Sequence, residues 1–589
     1  MKKMFVVIAV LLFAGNAAAQ ELSAADLDKR RVVLQKLLEE QWETTLQQTP
    51  EFASMLGDRR YNDRVSDVSE QEVKLELEVA RRFLKKFEAI DASGFSEQER
   101  LNRDLMIRGL RESIEAAKFR NHRMPVNQMG GIHLQAAQLP SLWPFQTVKD
   151  YDDYIVRLGK LPKMMSDTTA NMRKGLATKM MPPRFLLEKV ADQASEIAKT
   201  PADTSPFAIP LQKFPDTFTD ADKDRIRQQV IAAIRASVIP AYEKFAKFVR
   251  TEYAPHGRKQ PGVWSLPDGK DRYAFLVRSQ TTTNLTPDEI HQIGLREVAR
   301  IEGEMRTIAK SLGYDDLASF NKSLESNDHV KVKSGDQLVA AYKAYIDQMY
   351  KKLPQLFGRL PKASLEVLPT PTFREASAAG ADYNTGAPDG SRPGRVYVNT
   401  YEATTRKTLP VESTSYHEGV PGHHMQLSIQ QELTDLPPFR QQGGETSFVE
   451  GWALYSERLG KEVGFYQDPY SDYGRLNDEM LRAIRLVVDT GLHSKKWTRD
   501  QVVQFFREHS AIDEVEIQSE TDRYIVVPGQ ALAYKIGQLK ILELRDRAQK
   551  ELGDRFDIRA FHDEVLGAGA LPMQLLEERI VRWIEKQKG

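Results

Sequence analysis

The stretch SYHEGVPGHHMQLSIQQEL, residues 415–433, places three of the chain's eleven histidines within eight residues. Imidazole nitrogens are common zinc ligands, and His417 is followed at once by Glu418, a ligand beside a candidate base. Zinc hydrolysis needs three protein ligands, an open position for water, and a group to deprotonate that water. In the familiar H-E-x-x-H pattern, four residues return the second histidine to the same helix face. Here that place belongs to Pro421, whose ring would clash with the carbonyl of residue 417 in a regular helix. His423 would point about 120° away from His417, whereas His424 regains the face but lies about 10.5 Å further along the axis. A kink or widened turn at Pro421–Gly422 would bring either histidine to a metal.

Two further segments supply what such a site needs. GGETSFVEGWALYSERLG, residues 443–460, is apolar and helix-forming. Helical zinc peptidases take their third ligand from a glutamate on a following helix, and Glu450 stands 27 residues beyond His423. Glu457, two turns later on the same face, is placed to orient a histidine. SETDRYIVVPGQALAYKIGQ, residues 519–538, gathers Arg523, Tyr524, Tyr534 and Lys535 around a Pro528–Gly529 break. Phenols and cations of this kind stabilise an oxyanion or bind a carboxylate. Packing tyrosines and solvated cations would leave the same pattern.

Together, YHEGVPGHHMQ, EGWALYSERLG and DRYIVVPGQALAYKIG resemble the bacterial family catalogued as domain of unknown function 885. That family is regarded as zincin-like metallopeptidases, akin to the helical angiotensin-converting-enzyme and thimet-oligopeptidase group. The resemblance implies one zinc ion held by His417, His423 and Glu450, with Glu418 as base. It favours His423 over His424 because Gly422–His423 matches a Gly-His pair common in the helical group. Tyr524 or Tyr534 would then stabilise the oxyanion. Arg523 or Lys535 would bind a substrate C-terminal carboxylate.

The elements that must carry these residues read mostly as helix. LSAADLDKRRVVLQKLLEEQWETTLQQ has Ser23 as its cap and continues in good helix formers. In LTPDEIHQIGLREVARIEGEMRTIAKSLGY, Thr286 caps, Pro287 suits the first turn, and Ile301, Met305, Ile308 and Leu312 share a face before Gly313. LPMQLLEERIVRWIEKQ has the same character. Residues 254–273 and 379–400 are rich in Pro and Gly and read as loops. RVYVNT, ending the second loop, alternates Val396 and Val398 and reads as a short strand, with an edge open to an added peptide strand. The expected fold is an all-α, mainly helical body with a small β-sheet near residues 360–400. It forms one large domain over residues 20–589, with a weakly marked boundary near residue 275.

Composition narrows the setting. Residues 1–19 carry Lys2 and Lys3, an apolar run from Phe5 to Phe13 and Ala17–Ala18–Ala19, the three parts of a cleavable export signal. The run is shorter than the roughly 20 residues a membrane span requires, and no other stretch reaches that length. With no cysteine in the chain, disulfides, thiol catalysis and a lipid-modified cysteine are excluded. The 83 basic and 83 acidic residues, 81 against 83 without the leader's two lysines, give no electrostatic case for nucleic acid. The expectation is a periplasmic or secreted zinc peptidase acting on peptides in a cleft. Two alternatives are a metal-dependent hydrolase of another amide or ester, and a non-catalytic helical binding protein.

Overall fold

The computed structural model describes residues 24–375, 378–388, 390 and 392–589. The leader and Ser23 lie outside these residues. The first described helix, Ala24–Gln48, covers the expected segment. Helices dominate the chain, and a three-stranded sheet is set into its second half. No helix among the described residues is long and apolar enough to cross a membrane.

The helix we label α1, Pro287–Ser311, shows how sequence fixes an element here. The Thr286 hydroxyl accepts from the Glu289 amide while the Glu289 carboxylate accepts from the Thr286 amide, a reciprocal cap that satisfies two otherwise orphaned donors. Ile301 and Met305 are buried, Ile308 and Leu312 pack against the same core, and Gly313 follows with φ of +88°. A glycine relieves the left-handed conformation that stops the helix.

Strand β1 is Leu365–Pro369, β2 is Ala381–Asn384 and β3 is Gly394–Val398. β3 lies in the centre, parallel to β1 and antiparallel to β2. Val396 and Val398 are buried as their alternation requires. The RVYV strand therefore offers no free edge; β1 and β2 hold the edges. The 254–273 stretch also departs from a plain loop, because a helix, Gly269–Thr281, starts inside it. Buried Arg272 on that helix binds Asp268 in the preceding turn and the Phe119 carbonyl, which anchors the start against the N-terminal half.

Five helices carry the residues of interest: α2 (Val411–Glu418), α3 (His423–Gln431), α4 (Thr446–Glu462), α5 (Pro469–His493) and, after a loop, α6 (Glu514–Val526). A sixth, α7 (Leu532–Leu552), lies against α4 at very short range. A Cβ on Gly537 would sit 1.9 Å from the Ser447 carbonyl oxygen, and one on Gly451 would sit 2.5 Å from the Gly537 Cα. Only glycine at both positions permits this crossing. It fixes Tyr534, one turn before Gly537, relative to Glu450, the neighbour of Gly451.

Candidate metal centre

The break anticipated at Pro421 is a full interruption. α2 ends at Glu418, the Val420–Pro421 peptide is cis, and α3 restarts at His423. The Trp452 indole on α4 donates to the Pro421 carbonyl at 2.8 Å, which ties the interrupted segment to the helix that carries Glu450. A side chain at 422 would strike the backbone of 416 and 417, with a Cβ only 2.0 Å from the His417 carbonyl oxygen. Gly422 therefore lets the chain double back on itself.

Doubling back brings the His417 and His423 rings to 4.8 Å between centroids, edge to face. Glu450 Oε2 lies 3.8 Å from His417 Nε2 and 3.5 Å from His423 Nε2, and the three candidate ligand atoms all lie within 4.8 Å of one another. Ligand atoms about 2.0–2.2 Å from a tetrahedral ion stand roughly 3.3–3.6 Å apart. The set therefore fits one zinc-sized ion with little movement.

His424 goes elsewhere. Its ring is fully buried, with Nδ1 3.1 Å from the Tyr383 hydroxyl on β2, and burial pushes its imidazolium down to about 4. It ties α3 to the sheet. Of the two histidines that spacing leaves open, the structure brings His423 and not His424 beside His417 and Glu450.

The electrostatics of the cluster favour a cation. Burial would lower the His417 imidazolium, but interaction with Glu450 and Glu457 overrides this and pushes it up to about 10. Burial would raise the Glu450 carboxyl, yet His417 and His423 together hold it well below the usual carboxylate range. His417 Nδ1 donates to Glu457 Oε1 at 2.8 Å, which aims Nε2 at Glu450. Glu418 is pushed up by burial, and it makes no hydrogen bond or ion pair among the described residues. A carboxylate one residue from a candidate metal ligand, partly accessible and uncommitted, is free to handle a proton.

Of the four residues singled out at 523–535, the structure leaves Arg523 half-buried and Tyr534 with a little exposed surface. Tyr534 is 7 % exposed, and its oxygen accepts from Arg523 Nη2 at 3.1 Å and from Gln530 at 3.4 Å, which leaves its own proton to donate. Arg523 is half-buried, also bonded to Glu520 at 3.2 Å and Gln530 at 2.8 Å. Tyr524 is withdrawn from any such role. It is fully buried, stacked on Phe506, and its hydroxyl donates to Glu520 while accepting from Arg485 at 3.0 Å. Lys535 is withdrawn too, with no exposed surface. Its ammonium is spent on Glu479 at 2.6 Å, Gln538 at 2.7 Å and Glu297 at 2.9 Å. It joins α7 to α5 and α1 and cannot reach a substrate carboxylate.

Sequence reasoning passed over α5 altogether. Its Asp478 and Arg482 contact Ser413 and Glu457 behind the His417–His423–Glu450 cluster, and its Arg485 lies 4.5 Å over the Tyr534 ring. The signal was present in LNDEMLRAIRLVVD, where charges recur every three or four residues inside an apolar helix.

Comparisons with known proteins agree with this architecture. A structure from Colwellia psychrerythraea, provisionally described as a lipoprotein, superposes with a TM-score of 0.90 at 29 % identity, covering 95 % of this chain and 100 % of its own. A second, from Shewanella oneidensis and provisionally described as a lipoprotein of unknown function, shares the fold at 15 % identity with a TM-score of 0.69. It covers 93 % of this chain and 99 % of its own. No curated protein matches the chain. The pattern of one family runs across residues 50–580, nearly the whole sequence, and the chain therefore belongs to that family, described as "Bacterial protein of unknown function (DUF885)".

Proposed function

We propose that the protein is a zinc-dependent hydrolase of the zincin kind that cleaves peptide bonds. The observation that carries this is the convergence of His417 Nε2, His423 Nε2 and a Glu450 oxygen within 4.8 Å, beside the uncommitted Glu418. His417, His423 and Glu450 would hold one zinc ion, which supplies a Lewis acid and lowers the pKa of a bound water. Glu418 takes a proton from the attacking water and later returns it to the leaving amine. Tyr534 donates its phenolic proton toward the oxygen on which negative charge develops. Arg523, held by Glu520, Gln530 and Tyr534, takes a substrate C-terminal carboxylate, which would make the enzyme an exopeptidase acting from that end.

The placement we propose is the cell envelope. The leader-like residues 1–19 support it, as does the description of both solved relatives as lipoproteins.

The experiment is chelation followed by zinc readdition, with elemental analysis and a panel of peptides and small esters. Peptide hydrolysis should vanish on chelation and return with zinc. Glu418→Gln should retain the metal and lose on the order of 10²-fold or more in turnover. Full activity in metal-free protein would refute the mechanism, and turnover of esters alone would move the substrate class.

A further inference from the structure

We propose that Arg482 is a positioning residue for the metal-binding histidine His417, acting through Glu457. The inference rests on the metal-site reading above and names a group that no motif in the sequence marks. Arg482 projects from α5 with 11 % of its side chain exposed, facing Glu457, Asp478, Arg485 and Tyr534. A guanidinium in such a place needs partners, because leaving a buried charge unpaired is strongly unfavourable. It has two. Nη2 lies 3.8 Å from Glu457 Oε1, and Nη1 lies 3.6 Å from Asp478 Oδ1 while donating to the Asp478 carbonyl at 3.1 Å.

Both partners lead back to α2. Glu457 accepts from His417 Nδ1 at 2.8 Å at the end of that helix. Asp478 Oδ2 accepts from Ser413 Oγ at 2.5 Å, one turn before His417. The contacts form a closed circuit, from Ser413 to Asp478 to Arg482 to Glu457 to His417 and along α2 to Ser413 again. One guanidinium thus restrains the helix that presents His417 at two points.

The charge balance gives Arg482 its second task. The Glu457 side chain is 2 % exposed, and among the described residues His417 is the one hydrogen-bond donor to its carboxylate, whose Oε2 has none. A histidine that gives Nε2 to a metal is neutral and offers Glu457 a hydrogen bond without a full charge. Arg482 is then the side-chain cation paired with Glu457. It holds the carboxylate in the orientation that aims the imidazole.

The test compares Arg482→Gln, Arg482→Lys, Glu457→Gln and the double variant Glu457→Gln/Arg482→Gln. Zinc affinity is read by chelator competition, and site geometry by the visible spectrum of the cobalt-loaded protein. Arg482→Gln should weaken metal binding roughly 10- to 100-fold, the scale of losses outside the ligand set, and alter the cobalt spectrum. Arg482→Lys should recover part of the loss. The double variant should be no weaker than Glu457→Gln by more than about twofold, because residues acting through one another do not add. Arg482→Lys serves as the arbiter should the glutamine variant fail to fold. Unchanged affinity and spectrum in a folded variant that merely melts earlier would overturn the proposal, as would losses that multiply in the double variant. Wild-type protein that takes up no metal would instead overturn the underlying metal-site reading, and this inference with it.

Discussion

Helices α1 and α5 are both 25 residues long, lie side by side, and use their charges in opposite ways. α1 buries one stripe, from Ile290 through Val298 and Met305 to Ala309, and turns most of its charges to water, with Glu297 and Arg300 as exceptions that reach Lys535 and Glu479. α5 buries 21 of its residues, so most of its charges have no solvent to face. They find partners instead: Arg475 with Asp472, Asp478 with Ser413, Arg485 with Glu520, and Asp489 with Tyr273 and the Gly529 amide. Most charges on α1 modify a surface. A charge on α5 decides how other helices are placed, because burial makes an unmet partner expensive.

The contrast can be broken most forcefully at Lys535. Lys535→Met removes the cation that Glu479 of α5 and Glu297 of α1 share, leaving Arg300 to serve both acids and Arg475, 3.6 Å away, to serve Glu479. Breaking a buried pair costs about 3–5 kcal/mol, and with Arg300 still present a loss near 3 kcal/mol is expected in denaturant unfolding. A change below about 1 kcal/mol would show that these charges are as idle as surface ones.

Next in size is the pH dependence from α5's buried histidine. Burial pushes His493 down to about 3, and its ring accepts from the Val263 amide and donates to the Tyr524 carbonyl. The unfolded chain binds a proton near the ordinary value of about 6.5, so between 6.5 and 3 the unfolded state holds more protons. Stability contributed by the neutral ring is therefore full above 6.5 and is lost as pH falls toward 3. The loss from this ring is about 1.4 kcal/mol per unit, or roughly 2 kcal/mol between pH 7 and pH 5. Unfolding curves for wild type and His493→Gln at those two pH values check it; identical slopes would remove His493 from the account.

The smallest effect belongs to α1. Arg306 pairs with Glu302 one turn away at 2.8 Å, but its side chain is 54 % exposed. Arg306→Ala should shift stability by no more than about 0.5 kcal/mol, and less at high salt. A loss as large as that of Lys535→Met would erase the distinction between the two helices.

The same contrast explains what could be read in advance. α1 was legible because an apolar stripe, a Thr286 cap and Gly313 all point to one answer. The interruption at Pro421 was legible as well, since proline and the His417–His423 spacing cannot share a straight helix. The identity of the second histidine was not a local matter. His424 is removed from the cluster by Tyr383, 41 residues earlier in the chain, and nothing in the histidine segment encodes that contact. Tyr524 and Tyr534 likewise look equivalent in sequence, and only the packing against Phe506 and the bond to Glu520 separate the fully buried phenol from the one that keeps 7 % of its surface. α5 went unread because regularly spaced charges ordinarily mark a wet face, and here that face meets the acids and tyrosines of neighbouring helices.

The Gly451–Gly537 crossing carries a consequence for motion. Two backbones in direct contact cannot slide or pivot over one another without leaving a gap that no side chain can fill. α4 and α7 must therefore travel as one rigid body, with Glu450 and Tyr534 fixed on it. Any relative motion around them has to be accommodated by hinges elsewhere in the chain. The distance between Glu450 and Tyr534 would then stay constant through any such motion, while His417 and the Pro421 segment are tied to the same body through Glu457 and Trp452.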